Sequence, residues 1–403
     1  MKLFVFLRSR PFRLSWLLLV MLLVMLLAGC SGGAVVFAPT PPPPDLSPLP
    51  YNHPSGAFSV TVPRNWSVFV QNTTALAAAS FAAPDTNEPV LRFAVMNLGK
   101  KLDSGALGDL MNQYQTQIRT DAQRYTETGR QAMGDGSWRL TGLRHAEGGI
   151  TRPVNTFIQQ SGNFLGVIEV LLPDDSTQQT ALQNIINTFA IHPDAPLQPS
   201  DSSTLASVTG NSLEILHVST WSTAAGVFFI TGEVGNYGAD WAENVPIRAV
   251  LRTSDGLAAA EAVDTVMGYG IAPGGFAPFS LRFGQGQSAI TAGYELSLGG
   301  EDWTPGENQA ILGQEVLKWS DNSSVGADGH LLISGTVTNS GGSTVRNVRA
   351  VVTVFDATGS VIAAGFTDVT PGLNAGAAAD FNIPVPEIGG TPVNYIVNIQ
   401  GMP

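Results

Sequence analysis

Residues 230–236 read ITGEVGN, and residues 333–339 read ISGTVTN. The two stretches lie 103 positions apart and keep Ile, Gly, Val and Asn at the same places. Asn244-Val245 and Asn347-Val348 repeat at the same distance. Self-similarity at a fixed distance is typical of a duplicated structural unit. The second half of the chain is therefore predicted to contain two copies of one domain.

Each copy contains about seven short alternating runs of apolar and polar residues, separated by Gly, Asn and Pro. This pattern is typical of an all-β sandwich of immunoglobulin-like type. We assign the copies to residues 205–303 and 304–403, with a Pro- and Ser-rich linker at residues 194–204 before them. Residues 352–356 (VTVFD) resemble the Phe-x-Leu-Tyr-Asp signature of the FxLYD family, whereas residues 249–253 (AVLRT) of the first copy depart from it. The resemblance implies extracytoplasmic domains of a kind often found in bacterial lipoproteins, without an assigned chemistry.

Ahead of the repeat, residues 51–193 mix strand and helix patterns. One predicted helix has an apolar stripe at helical spacing and Ser104 as its cap, and a second starts near Asp174 and Asp175. The stripe of the first helix consists of Leu107, Leu110, Met111, Tyr114 and Ile118, and the second is expected to bury Leu182, Ile185, Ile186 and Phe189. Strands are predicted at residues 57–62, 66–70, 75–81, 90–97, 125–133, 137–145, 153–160 and 164–171.

The start and end of this unit resemble the PsbP/Mog1/DcrB superfamily. The resemblance rests on Tyr51, Gly56, the run Phe58-Ser59-Val60-x-Val62-Pro63, Trp66 and the closing amphipathic helix that is expected to end at Thr188-Phe189-Ala190-Ile191. It implies an α+β domain, in which helices flank an antiparallel sheet, and a group populated mostly by non-enzymatic accessory and assembly factors. Likeness of fold implies no particular partner. The predicted fold class is thus multidomain, an α+β domain followed by two immunoglobulin-like sandwiches.

The N terminus, residues 1–29, has the pattern of a secretory signal peptide. Four basic residues precede the apolar run 14–28, whose 15 residues fall short of the roughly 20 that span a bilayer. A transmembrane helix is the alternative interpretation. Leu27-Ala28-Gly29 followed by Cys30 resembles the lipobox of bacterial lipoproteins. The resemblance implies that Cys30 becomes the first mature residue and carries acyl chains such as palmitate.

Processing at Cys30 changes the charge of the protein. It removes four bases and no acid, so the formal net charge falls from -12 to -16. An acidic surface is repelled by anionic lipids, so the membrane partner is expected to be reached through the acyl chains. Residues 30–50 include Pro41 to Pro44 and are predicted to form a stalk without helix or central strand. The predicted location is extracytoplasmic, on a bacterial membrane.

Several kinds of chemistry are not expected from this composition. The acidic balance argues against a nucleic-acid partner, and a single cysteine excludes a disulfide framework and thiolate metal sites. No nucleophile elbow, phosphate-binding loop or dinucleotide fingerprint occurs, so no catalytic residue, metal site or cofactor is assigned. The five histidines are scattered singly and are read as surface or hydrogen-bonded residues: His53, His145, His192, His217 and His330.

Acidic residues in sequence proximity have simpler explanations than catalysis. Asp174-Asp175 suits the start of a helix, and Glu301-Asp302 lies in a predicted linker, residues 299–307. Residues 321–328 (DNSSVGAD) resemble the start of a calcium loop, but Val325 stands where an oxygen ligand is required. A hairpin loop is the favoured interpretation there.

Tryptophans offer the remaining candidates for binding. Trp241 and Trp303 lie beside turn or linker residues, as aromatic residues of a protein- or carbohydrate-binding surface do. Trp221 and Trp319 occupy corresponding places in the two copies and are expected on the inner faces of the sandwiches.

Three functions remain open from the sequence. The favoured hypothesis is a non-catalytic binding or scaffolding lipoprotein with an envelope protein as its unknown partner. An accessory or assembly factor of a membrane complex, as the PsbP resemblance implies, is the first alternative. An envelope hydrolase with an unrecognised site is the second.

Overall fold

A computed structural model describes residues 47–83, 86, 88–145, 150–200, 213–238, 240–299, 311–326 and 330–403. The predicted signal peptide, the lipobox with Cys30, nearly all of the stalk, and Trp303 lie outside these residues. Within the described ranges, no helix has the length and apolar character that crossing a membrane requires. We refer to residues 47–200, 213–299 and 311–403 as the first, second and third modules.

The first module contains all eight predicted strands and both predicted helices. The strands are β1 Pro48–Asn52, β2 Phe58–Pro63, β3 Ser67–Asn72, β4 Leu76–Ala82, β5 Leu91–Asn97, β6 Tyr125–Ala132, β7 Trp138–His145, β8 Thr151–Ser161, β9 Phe164–Leu171 and β10 Ala190–Ile191. The helices are α1 Ser104–Gln113, which continues as a π-helical turn Tyr114–Ile118 and a 3-10 turn Ala122–Arg124, and α2 Ser176–Ile186.

Three local predictions need correction: the cap of α1, the start of β1 and the end of α2. Helix α2 ends at Ile186, earlier than expected, and Ala190 and Ile191 form β10. Asp103, and not Ser104, caps α1, because the Asp103 carboxylate accepts a hydrogen bond of 2.9 Å from the Ala106 N–H. Strand β1 begins at Pro48, within the last residues of the predicted stalk, and pairs with β2 along Pro48↔Pro63 to Asn52↔Ser59. Its prolines are tolerated because β1 is an edge strand, where one side of the backbone needs no ladder hydrogen bond. Asp175 caps α2 as expected, at 3.0 Å from the Thr177 N–H.

The main sheet of the first module is antiparallel and has the order β3-β4-β5-β9-β8-β7-β6. Successive residues of a strand face opposite sides of this sheet, so each strand feeds two cores. Phe81 and Phe93 belong to the core beneath α2 and the small sheet β1-β2-β10, and Met96 belongs to the core beneath α1. Helices therefore cover both faces of the sheet, and the module is α+β.

The second and third modules are built from strands. The second has β11 Leu213–Ser222, β12 Val227–Asn236, β13 Ala242–Glu243, β14 Pro246–Arg252, β15 Ala258–Thr265, β16 Gly270–Ile271, β17 Phe276–Gln285, the short helix α3 Gln287–Ile290 and β18 Gly293–Leu298. The third has β19 Leu317–Val325, β20 Leu331–Asn339, β21 Val345–Phe355, β22 Val361–Leu373, β23 Ala378–Val385 and β24 Asn394–Met402.

The two copies share one strand order. The pairings β11-β12-β17 and β15-β14-β18 of the second module correspond to β19-β20-β23 and β22-β21-β24 of the third. In each module, three strands from either group enclose a single apolar core. Six long strands per copy thus replace the expected seven runs, and the short pair β13-β16 is found in the second module.

A buried asparagine makes the same contacts in both copies. The Asn236 Nδ2 donates to the carbonyls of Asp240 (2.7 Å) and Ile271 (2.8 Å), and its Oδ1 accepts from the Gly238 N–H at 2.9 Å. Asn339 repeats this set with Ser343, Leu373 and Gly341 at 2.8, 2.8 and 2.9 Å. The asparagine that ends each repeated motif is therefore a structural residue, which holds a loop against the sandwich.

The two tryptophans of the copies are not equivalent, contrary to the sequence-based expectation. Trp319 pairs with Val337 and packs against the core of the third module, whereas the residue opposite the corresponding Val234 is Ile215. Trp221 stacks on Phe229, with ring centroids 4.3 Å apart. Phe229 points away from the core that its neighbours Phe228 and Ile230 enter, so Trp221 lies on the outer face.

The first and second modules share a sheet. Strand β18 pairs in parallel with β3 along Glu295↔Val68, Leu296↔Phe69 and Ser297↔Val70, so the first module's sheet continues through β18, β14 and β15 as one ten-stranded sheet. Phe69 and Ala82 of the first module lie in the apolar core of the second. The first and second modules therefore do not have wholly separate cores.

Candidate functional site

The functional candidates of the structure lie where the three modules meet. Two features occupy this junction: a cluster of buried ion pairs between the first and second modules, and a cavity that all three modules line. Neither is visible as a sequence motif, because their residues come from distant parts of the chain.

The ion-pair cluster is centred on Arg119, which follows the π-helical turn and is 2% exposed. Its Nε donates to Asp121 at 2.6 Å, its Nη2 lies 3.4 Å from Glu169, and its guanidinium stacks 3.5 Å from the ring centre of Tyr125. Burial by itself would raise the pKa of Asp121, but Arg119 and Arg144 together hold that pKa below its usual range. Asp121 is therefore a charged, structural carboxylate.

Arg144 extends the cluster to the second module. Its side chain lies 2.6 Å from Glu88, 3.7 Å from Asp121 and 3.4 Å from Glu214 of strand β11. Nearby carboxylates outweigh the burial of Arg144 and raise the pKa of its guanidinium. Each charge in the cluster thus has an opposite charge within reach, as buried ions require.

Arg124 gives Glu214 a second partner. The Arg124 Nη2 donates to Glu214 at 2.8 Å, and the guanidinium stacks 3.5 Å from the ring centre of Tyr237 in the second module. The cluster encloses a cavity of about 30 Å³, lined by Arg92, Arg119, Asp121, Arg144, Glu169 and Glu214 among others. This space suits one or two water molecules and is too small for an organic ligand. The ion-pair cluster therefore serves to join the first module to the second.

The third module is held to the second by polar contacts to backbone groups. Thr231 donates to the carbonyl of Val361 at 2.5 Å, and Ser219 donates to the same oxygen. Gln400, which is 3% exposed, accepts from the Tyr269 N–H at 2.8 Å and donates to the Gly270 carbonyl at 2.7 Å. The ring of Trp221 packs directly on Gly389 of the third module. The contact is so close that a Cβ atom at position 389 would lie 2.3 Å from the ring.

The second feature, which we call the junction cavity, has a volume of about 270 Å³. It is lined by Asn65, Ser67, Phe69, Ala82, Ala83, Thr86 and Glu88 of the first module, by Val218, Ser219, Thr220 and Tyr294 of the second, and by Asp356 and Ser360 of the third. Burial raises the pKa of Tyr294 to about 12, although a hydrogen bond with Ser67 works against this, so its hydroxyl is neutral. The junction cavity is large enough for a small organic molecule.

Asp356, the last residue of the FxLYD-like stretch, has a structural role beside this cavity. Its Oδ1 accepts hydrogen bonds from the N–H groups of Thr358 (2.8 Å) and Ser360 (3.0 Å) and from the Thr358 hydroxyl (2.7 Å). These bonds fix the turn between β21 and β22. The residue that matches it in the first copy is Thr253, so the two copies differ at this turn.

The residues proposed from sequence do not meet at one place. Trp241 is half-buried near Gly313 and does not line the junction cavity, and Trp303 and Cys30 lie outside the described residues. Residues 321–325 belong to β19, which forms the expected hairpin with β20 through Val325↔Leu331, and residues 327–328 of the same stretch lie outside the described residues. His53 is buried and hydrogen-bonded to Ser55 (2.8 Å) and to the Gln71 carbonyl (3.2 Å). In the part of the chain with described coordinates, no group of three or more metal-ligating side chains comes together.

Sequence reasoning missed both features of the junction. The available signal was weak: Arg144 stands at a buried position of the alternating strand β7, where an apolar residue is the usual choice. A charged residue at such a position requires a partner, but the sequence does not say that Glu88 and Glu214 supply it.

Comparisons with known proteins give partial likenesses. No protein-family model matches the chain, and no curated protein matches it. The solution structure of cyanobacterial PsbP (CyanoP) from Synechocystis sp. PCC 6803 is similar at 14% identity and a TM-score of 0.30, over 36% of this chain and 94% of that one. LpqN of Mycobacterium tuberculosis, a protein involved in cell envelope biogenesis, is similar at 20% identity and a TM-score of 0.22. The match covers 36% of this chain and 91% of LpqN. Likenesses at this level carry no argument about fold or function.

Proposed function

We propose that this protein is a non-catalytic binding or scaffolding protein, anchored by lipid at Cys30 on the outer side of a bacterial membrane. The observation that carries the scaffolding role is the joint between modules. One ten-stranded sheet crosses from the first module into the second, and Phe69 of the first module lies in the core of the second. A joint of this kind holds the two modules in one fixed arrangement. A scaffold needs such an arrangement when its binding surface is made of residues from more than one module.

The contacts of the third module support the same role. Val361 and Gln400 bind backbone or hydroxyl groups of the second module, so all three modules act as one body. A chain of independently moving domains would instead be joined by flexible linkers with few contacts across them. Because all three modules line the junction cavity, a fixed arrangement of the modules keeps its shape.

Membrane anchoring rests on the sequence. The basic start, the short apolar run and the tetrad Leu27-Ala28-Gly29-Cys30 agree with one another. An acyl chain contributes about 0.8 kcal/mol of membrane affinity for each buried CH₂ group. Stable attachment takes two membrane anchors, such as two acyl chains.

The lipid anchor of this proposal is tested by membrane fractionation with metabolic labelling by a radioactive or clickable fatty acid, and the joint between modules is tested by the unfolding of Glu214→Gln described in the Discussion. Wild type is expected to label and to sediment with membranes, and Cys30→Ser is expected to lose the label and to move to the soluble fraction. Ser31→Ala is the matched control, because it changes the neighbouring residue and keeps the tetrad. Labelling and sedimentation of Cys30→Ser at the level of wild type would show that the anchor is wrongly assigned.

A further inference from the structure

The junction cavity differs from the ion-pair cluster in size and in lining. Its 270 Å³ compares with 30 Å³ inside the cluster, and it lies just below the range of about 300–1,000 Å³ that is common for drug-sized ligands. Space of this size suits a single ring with its substituents. Because three modules contribute walls, the cavity exists only in the assembled chain.

The lining of the cavity selects against anions. Among the described residues that line it, none is lysine, arginine or histidine. A phosphate or carboxylate placed there would lose its hydration without gaining an opposite charge. Glu88 and Asp356 would repel it further.

The carboxylates do not favour a cation either. Both oxygens of Glu88 are engaged by arginines, Oε2 with Arg144 at 2.6 Å and Oε1 with Arg152 at 2.8 Å. Asp356 holds the turn at Thr358 and Ser360 with three hydrogen bonds. An ammonium group would find Glu88 already paired with two arginines and only Asp356 left to balance its charge. A neutral ligand loses less hydration on burial than an ammonium group and is therefore the better match.

The hydroxyl and amide groups that line the cavity can form hydrogen bonds with donors and acceptors on a ligand. Hydroxyl groups are contributed by Ser67, Thr86, Ser219, Thr220 and Ser360. The Oδ1 of Asn65 is buried and has no hydrogen-bond partner, although buried polar atoms of this kind are nearly always paired. Because almost none of this oxygen is accessible, a ligand hydroxyl that donates to it must enter with a turn of the Asn65 amide toward the cavity.

Part of the lining is apolar. Phe69, Val218 and the ring of Tyr294 line the cavity together with two alanines. A ligand that fits both parts has a C–H face and an edge of hydroxyl groups. We propose that the junction cavity binds a neutral polyhydroxylated ligand of monosaccharide size, and this identifies the ligand class for the binding role proposed above.

Saturation-transfer NMR tests this inference on the full-length protein in a detergent without a sugar head group. Glucose and N-acetylglucosamine are the neutral probes, and glucosamine and glucuronate are the cationic and anionic controls. Binding of at least one neutral sugar is expected, with weaker or no binding of the charged controls. Absence of binding by both neutral sugars, or stronger binding of a charged control, would overturn the proposal.

Two substitutions locate the bound sugar. Thr220→Trp places a large ring at an exposed position of the cavity wall and is expected to abolish binding. Ser222→Trp, two residues further along β11 and outside the lining, is the matched control and is expected to bind as wild type. Equal binding by Thr220→Trp and Ser222→Trp would place the sugar elsewhere and refute the assignment.

Asn65→Ala keeps the test decisive if Thr220→Trp unfolds. Loss of one neutral hydrogen bond corresponds to about 2- to 10-fold weaker binding. Unchanged affinity in Asn65→Ala, measured on protein with the wild-type unfolding midpoint, counts against the cavity. These results are separate from the fractionation of Cys30→Ser, so a failed sugar test and a failed anchor are distinguishable.

Discussion

Glu214→Gln is the most direct test of the joint between the first two modules. The Glu214 carboxylate accepts from Arg124 at 2.8 Å and lies 3.4 Å from Arg144. Glutamine keeps the size of the side chain and removes its charge. The substitution therefore changes the ion pairs across the joint and leaves the packing around Phe69 as it is.

The expected loss follows from the geometry of the two pairs. Arg144 keeps Glu88 at 2.6 Å and Asp121 at 3.7 Å, so the main loss falls on Arg124, which has no other ion pair among the described residues. The Arg124 and Glu214 side chains are 19% and 15% exposed, so solvent screens the pair only in part. A charge-assisted hydrogen bond contributes about 1.5–3 kcal/mol, and we expect a loss of about 2 kcal/mol.

Urea unfolding measures this loss. With a slope of about 3 kcal/mol per molar urea, a loss of about 2 kcal/mol lowers the midpoint by about 0.7 M. Tryptophan fluorescence and far-UV circular dichroism recorded together show whether the modules unfold in one transition, which the shared core predicts. The matched control is Glu261→Gln, because Glu261 pairs with Arg248 at 2.7 Å on an exposed part of strand β15. Exposed pairs contribute little, so its midpoint is expected to stay near that of wild type.

Two results would refute this reasoning. If Glu214→Gln moves the midpoint no more than Glu261→Gln, the ion pairs do not stabilise the joint. If wild type unfolds in two widely separated steps, with the first module melting independently, the continuous sheet does not couple the modules.

Two further predictions concern buried polar residues, and both are read from urea midpoints. Burial lowers the pKa of His53 to about 4, below the value of about 6.5 in the unfolded chain. The unfolded chain therefore binds the proton first as the pH falls. The free energy of unfolding is expected to be unaffected by His53 above pH 6.5 and to fall by up to about 3 kcal/mol as the pH drops to 4. His53→Gln should flatten this pH dependence while His145→Gln, at an exposed position, keeps it; equal pH dependence in wild type and His53→Gln would contradict the assignment. Asn236→Ala and Asn339→Ala should each cost about 2–4 kcal/mol, because each leaves two backbone carbonyls and an N–H without their partner. A large loss in one and none in the other would show that the two copies do not use this asparagine in the same way.

Local structure in the first module was predictable because neighbouring residues determine it. Alternation predicted strands at residues 75–81 and 90–97, which the structure has as β4 and β5, and the apolar stripe from Leu107 to Ile118 predicted α1. The cap was misplaced by one residue, since Asp103 and Ser104 both suit that role and the backbone conformation decides between them.

The repeat was also predictable, but not every consequence of it. The common Asn of ITGEVGN and ISGTVTN has the same hydrogen bonds in both copies. Trp319 lies opposite Val337, whereas the residue opposite the matching Val234 is Ile215, six positions before Trp221. The irregularity of β11 between Leu216 and Ser219 then turns Trp221 to the outer face. A shift of one residue turns a side chain to the other face of a sheet, and spacing along the chain does not reveal it.

What the sequence determined by itself is the order of the strands and helices and the duplication, because each depends on residues close together or on direct repetition. The signal peptide that ends before Cys30 is likewise predicted from neighbouring residues and stays a prediction. What only the tertiary structure decided is the junction: the pairing of β3 with β18, the ion pairs of Arg144 with Glu88 and Glu214, and the cavity beside Asn65. These contacts join residues that lie tens to hundreds of positions apart. Their energy depends on distance and burial in three dimensions, and neither quantity is written in the order of the residues.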